Sequence, residues 1–241
     1  MLTIAIVAAL AVVQSLFGVG LLVFGTPTLL LLGHSFADTL AILLPASITI
    51  SVLQVWKSNG RDSAFIRTFA GVCLVPLTLA LAAALVFDLR SSLNLIVAFM
   101  LAVFVVLRFR PDLDERMRAW VSRHDRTWLV LMGTVHGLSN LGGALLLIFA
   151  AARFRQKEDI RALIAFCYAC FAAVQLAVLA FVTPGVLGWP MLGYGVVAAG
   201  VFLVVGQPVF RWTPAPAFDR LRTLMAGAYA GLLGLRAVGV L

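Results

Sequence analysis

Long apolar runs alternate along this chain with short polar interruptions. The runs cover roughly 2–33, 36–56, 68–87, 91–109, 127–152, 160–183, 189–210 and 217–241. A helix needs about 20 apolar residues to cross a bilayer, so eight such runs leave no room for a sizeable soluble domain. Function must therefore arise from the membrane core and the short loops, which favours transport over cytosolic chemistry. The sharpest interruption is "RFRPDLDERMRAWVSRHDR", residues 108 to 126. Within it Leu113, Met117, Trp120 and Val121 fall at helical spacing, which suits either a short amphipathic helix on an anionic membrane surface or a solvated linker.

Composition agrees with this pattern. Hydrophobic residues make up 63% of the chain and charged residues 12%, with a mean hydropathy of +1.08, far from the roughly one quarter charged of a globular domain. The start, "MLTIAIVAALAVVQS", lacks the basic opening and cleavage site of a signal peptide and reads as mature protein. Cys73, Cys167 and Cys170 all lie in apolar runs and form no disulfide framework.

The two halves look related. A shift of 117 residues sets Gly20, Gly25, Thr26 and Pro27 on Gly137, Gly142, Gly143 and Ala144, each set followed by an aliphatic run. Weak internal repeats interrupted by Gly or Pro at corresponding places mark many secondary transporters.

Charge then selects a topology. If all eight runs cross, the basic residues divide nine against eight between the two faces and orient nothing. If the Gly-broken first and fifth runs instead enter and leave on one side, sixteen Lys and Arg gather on one face, against Arg90 and Arg236 on the other. That is a strong positive-inside pattern. The expected fold is therefore an all-α polytopic membrane protein of two inverted repeats, each a re-entrant, broken helical hairpin followed by three transmembrane helices. Residues 1–109 and 127–241 form the repeats and 110–126 the basic cytoplasmic linker, with both termini outside the cytoplasm and anionic lipid headgroups facing the basic loops.

Irregular backbone at membrane depth survives only where it is buried in protein or lines a cavity, so the Gly-rich tips should line a site. One half-helix is expected to begin at Thr26 and Pro27, the other near Asn140, Gly142 and Gly143. Two helix N-termini aimed at one spot offer free N–H groups and positive dipole ends, which suit a small anion. No Asp or Glu lies deep in any run, which argues against a cation path or a carboxylate proton relay.

The paired "GVGLLVFGTPTLLLLG" (Gly18 to Gly33) and "HGLSNLGGALLLIF" (His136 to Phe149), the basic linker and "LRTLMAGAYAGLLGL" resemble the sulfite exporter TauE/SafE family of bacterial inner-membrane permeases. The resemblance covers essentially the whole chain. It implies export of sulfite or of organosulfonates such as sulfoacetate. The first half departs from the family's richer glycine cluster with Leu21, Leu22, Val23 and Phe24, and the second carries Ala144 where the first has Pro27.

The candidate substrate-binding residues are Gln14, Gly25, Thr26, Pro27, His136, Ser139, Asn140, Gly142 and Gly143. His136 can take a proton, touch an anion, or simply bond between helices. Gln14 and Ser15 can equally be polar glue, and for Gln54, Gln175 and Gln207 glue is the first reading. Cys167 and Cys170 share one helix face among alanines and read as packing. No cofactor, metal or nucleic-acid partner is expected, and a homo-oligomer is left open. The alternatives to a transporter are an anion channel of the same fold, a membrane-embedded enzyme, or an assembly factor. No constellation of nucleophile, carboxylate pair or metal ligands supports an enzyme.

Overall fold

A computed structural model describes residues 1–55, 63–87 and 119–214, together with 116 and 217. Every regular element among them is helical. The fourth apolar run, 91–109, the eighth, 217–241, apart from its first residue, and the linker positions Leu113 and Met117 lie outside the described residues. Of the other two linker positions, Val121 is buried and Trp120 is exposed, stacked on His124 at 5.0 Å.

The first run is two helices, α1 (Leu2–Phe17) and α2 (Leu21–Leu31), followed by α3 (Phe36–Val55) and α4 (Ser63–Val86). The second half repeats this order with α5 (Asp125–Ser139), α6 (Gly143–Arg153), α7 (Lys157–Val182) and α8 (Pro190–Trp212). Helices α3, α4, α7 and α8 are long and apolar enough to cross a membrane. At 11 residues, α2 and α6 are not, since each extends only about 16 Å. Both α4 and α8 contain a π-helical turn, Ala70–Leu74 and Phe202–Gly206 respectively.

The arms of each broken run lie antiparallel. In the first, a Cβ on Gly20 would meet the Gln14 backbone at 2.8 Å, and one on Gly25 would meet Leu10 at 3.1 Å. In the second, Gly142 abuts His136, the Trp128 indole donates to the Leu145 carbonyl at 3.1 Å, and Arg153 pairs with Asp125 at 3.0 Å, closing the mouth.

The halves correspond in a different register from the glycine match. Gly18 and Asn140, Gly20 and Gly142, and Leu21 and Gly143 are each 122 residues apart and hold the same places in their hairpins. The 117-residue register paired Gly20 with Gly137, but Gly137 is inside α5, four residues from Gly133. Those two glycines bring α5 against the Leu77 and Cys73 carbonyls of α4. Small residues four apart allow this close backbone approach.

Helix α7 is the spine on which both hairpins lean. Gly18, at the first tip, sits against Ile164 and the Arg161 stem. Midway, Tyr168 and Val23 converge on Gly143. Further on, Gln175 reaches Asn140, at the second tip, and Asn140 reaches Thr26. The hairpins therefore pass each other along α7. Outside this core, Leu79, Val196, Leu203 and Val204 are 60 to 75% exposed on α4 and α8, an apolar surface suited to hydrocarbon.

Candidate functional site

Each break is made by a residue that tolerates a left-handed backbone. Gly18 ends α1 at φ 73°, its N–H donating to the Gln14 carbonyl at 2.8 Å. Asn140 ends α5 at φ 62°, donating in the same way to His136 at 2.8 Å, and is the one non-glycine residue with positive φ among those described. Asn visits this region because its short amide can bond locally. The amide here reaches further: Nδ2 donates to Thr26 Oγ1 at 2.8 Å and Oδ1 accepts from Gln175 Nε2 at 3.2 Å. One side chain thus joins both hairpins to the spine.

Just beyond, α6 begins at Gly143, with Gly142 as its cap and Leu146 the first residue to bond back into the helix. The N–H groups of its first turn are not used by the helix itself, and they carry its positive dipole end. Tyr168 Oη lies so close to Gly143 that any Cβ there would overlap it, and Val23 Cγ2 would be 2.6 Å from the same atom. His136 Nδ1 lies 3.0 Å from the Cβ position of Gly142. An aromatic column holds the imidazole: His136 stacks on Phe171 at 4.4 Å, Phe171 packs on Phe69 at 5.5 Å, and Tyr168 meets the ring edge-on at 5.8 Å.

His136, Tyr168 and Gln175 are fully buried. Yet among the described residues both ring nitrogens of His136, the Tyr168 hydroxyl and Gln175 Oε1 have no hydrogen-bond partner of good geometry, although the Gln175 side chain lies beside the imidazole. An unmet buried polar group costs about 1–3 kcal/mol, and native proteins rarely tolerate several in one place unless a ligand or water completes them. Three donors or potential donors, the imidazole, the phenol and the α6 N–H groups, meet at this spot. Donors of this kind suit an anion.

Five of the expected residues, Thr26, His136, Asn140, Gly142 and Gly143, come together here. The others lie elsewhere. Gln14 donates to the Ser47 carbonyl and hydroxyl and to Ser51, while Gln54 Nε2 caps the Gln14 and Ser15 carbonyls, all at the first break. Gly25 packs against Leu43 and Leu10, and Pro27 is buried within α2. Ser139 bonds back to the Val135 carbonyl at 2.7 Å and accepts from the Leu141 N–H.

Two expectations are corrected. The first half-helix begins at Leu21, not at Thr26 and Pro27, because the left-handed turn at Gly18 has already reversed the chain. The two N-termini also do not aim at one spot: α2 and α6 overlap side by side, so α6 begins beside Val23. Tyr168 was missed altogether, and Gln175, read as glue, does bond between helices but at the edge of the same cluster. A spacing of seven residues on one helix was the available signal for both.

Among the described residues, no group of three or more His, Cys, Asp or Glu could hold a metal ion. A family model described as Sulfite exporter TauE/SafE matches residues 2–236, nearly the whole chain. No curated protein and no solved structure gives a match.

Proposed function

The chain belongs to the sulfite exporter TauE/SafE family, whose members are membrane transporters of sulfur anions and not enzymes, and from that premise we propose that it carries sulfite, or an organosulfonate such as sulfoacetate, through a site at the start of α6. The observation that carries this reading is the set of buried, unpartnered atoms on His136, Tyr168 and Gln175 around Gly142 and Gly143. A sulfur oxyanion presents several acceptor oxygens within a radius of a few Å. The α6 N–H groups, the phenol and a ring N–H can each donate to one, in the way helix N-termini bind phosphate and sulfate.

The transport cycle follows from the symmetry. Hairpins of matching length, each one broken by a left-handed residue and overlapping along α7 from opposite ends, support two inverted repeats, with residues 110–126 as the connection between them. Each repeat lends its first arm to the other half: α5 packs on α4, and α1 on α8. Rocking one repeat against the other would open the overlap to one side at a time. In this reading the basic loops face the cytoplasm of a bacterial inner membrane, and the mouth of the second hairpin, closed by Arg153 and Asp125, lies on that face.

The test is sulfite uptake into proteoliposomes, with sulfate, thiosulfate and sulfoacetate as competitors. Tyr168→Phe removes one oxygen and nothing else. Loss of one hydrogen bond to a charged ligand should raise the half-saturating sulfite concentration by roughly 10-fold or more. Saturable wild-type flux with an unchanged half-saturation in Tyr168→Phe would remove the α6 site from the account. Absence of flux for all four anions would remove the substrate class.

A further inference from the structure

Arg161, Tyr168 and Gln175 are spaced seven residues apart on α7. Seven residues turn a helix by nearly two full turns, so the three lie on one face, about 10 Å between neighbours. Tyr168 and Gln175 belong to the cluster already described. Arg161 continues that face towards the start of α7, where the first hairpin has its tip.

Its surroundings are unusual for a guanidinium on an apolar helix. One donor, Nη1, reaches the Ser15 carbonyl at 3.2 Å, and the planar head lies 3.3 Å from the centroid of the Phe210 ring. No carboxylate among the described residues forms an ion pair with it; Glu158, one turn back, pairs with Lys157 at 3.7 Å and is itself exposed. Arg211 is a further neighbouring cation, and Lys157 Nζ lies 4.6 Å from the centroid of the same Phe210 ring while donating to the Phe210 and Thr213 carbonyls. The excess charge here is positive. Arg carries five N–H donors in a planar fork that matches oxyanions, and one bond to a carbonyl leaves most of that fork available.

We propose that Arg161 forms a second anion station, separate from the α6 site and reached before it from the start of α7, and that the Arg161–Tyr168–Gln175 face is the track between the two. This rests on the reading of the α6 site as the substrate site. Lys157 and Arg211 raise the local anion concentration at the mouth. Arg161 then takes the anion on its free N–H groups, keeping Phe210 as a backing plate, and the anion moves about 10 Å along one face to the phenol of Tyr168.

The competing view makes Arg161 a purely structural tie between α7, the α1 tip and α8. The two separate in kinetics and in anion-dependent stability. In proteoliposomes, Arg161→Gln should raise the half-saturating sulfite concentration about tenfold with the maximal rate within about twofold, and Arg161→Lys, which keeps the charge but not the fork, should recover part of the affinity. In detergent, sulfite should raise the melting temperature of the wild type, and Arg161→Gln should lose part of that rise while Tyr168→Phe loses another part. An unchanged half-saturation with an altered maximal rate, or equal loss in the Gln and Lys variants, overturns the station. If the wild type shows no sulfite flux, the proposed function fails by itself; the station is then judged on the melting shift with sulfate, sulfoacetate and phosphate, and a shift that Arg161→Gln leaves intact, or no shift with any of them, overturns it.

Discussion

The two breaks occupy equivalent places and are finished in opposite ways. Gln14 and His136 both lie four residues before the left-handed turn, 122 residues apart. Ser47 matches Tyr168, and Gln54 matches Gln175, at 121 residues, because the connection from α6 to α7 is one residue shorter than that from α2 to α3. At the first break these positions bond to one another: Gln14 to Ser47 and Ser51, Ser47 back to Gln14, and Gln54 to the end of α1. At the second, an imidazole and a phenol stand in for the amide and the hydroxyl, and neither finds a partner. The first break is thus closed by its own hydrogen bonds, whereas the second keeps unmet polar atoms, which is why the proposed site is placed there. The difference teaches where to look: symmetry locates two candidate sites, and the satisfaction of polar atoms chooses between them.

The largest effect should come from closing the open break. Gly143→Ala would drive a methyl into Tyr168 Oη and Val23, on the face where the proposed anion has to enter. Overpacking of this kind costs about 1–3 kcal/mol, so the melting temperature in detergent should fall and sulfite flux should be lost. Adding Tyr168→Phe should recover part of the stability, the Val23 contact remaining, but not flux. A Gly143→Ala protein with wild-type melting and flux would mean the helices have slack there and the site is not built as described.

A middle-sized effect sharpens the contrast between the equivalent pair. Gln14→Leu strips four hydrogen bonds with Ser47 and Ser51, three donated and one accepted, and should cost about 2 kcal/mol of stability, at roughly 0.6 kcal/mol for each bond in a membrane protein, with the half-saturating sulfite concentration unchanged. His136→Leu gives up only the loose contact with Gln175 and should leave stability within about 1 kcal/mol while raising the half-saturation roughly 10-fold. Chemical unfolding and flux titration on both variants would check this, and the reverse assignment of the two effects would contradict it.

The smallest concerns Ser139, whose hydroxyl is already engaged by Val135 and Leu141. Ser139→Ala should change flux by less than about twofold and stability by no more than about 1 kcal/mol. A tenfold loss of flux would return Ser139 to the substrate site.

Part of the architecture was readable because hydropathy reports it directly. The four spans among the described residues, both broken runs and the gathering of Thr26, Asn140 and Gly143 follow from where apolar runs break. The register of the repeat did not follow, and the reason is conformational. Gly18 and Asn140 are equivalent because both accept positive φ, yet they share no letter, whereas the glycines that do align by letter serve different ends. Pro27 misled in a related way. It looks like a first-turn residue, but a membrane helix tolerates an internal proline when the tertiary structure holds it, and α2 runs through it. Tyr168 was hidden because an aromatic in an apolar helix is usually core; only the lack of a partner for its hydroxyl sets it apart.

The overlap of the two hairpins has an electrical meaning. They pass each other between Ile164 and Gln175 of α7, eleven residues or about 16 Å, roughly half of a bilayer's hydrocarbon thickness. If water reaches from each face only as far as the tip of the opposite hairpin, the membrane voltage drops mainly across that short stretch. An anion beside Gly143 then sits within the steepest part of the field, and a full crossing costs or releases about 2.3 kcal/mol per charge for each 100 mV. Expelling an anion from a cell that is negative inside runs with this field, and the short barrier concentrates that bias at the site.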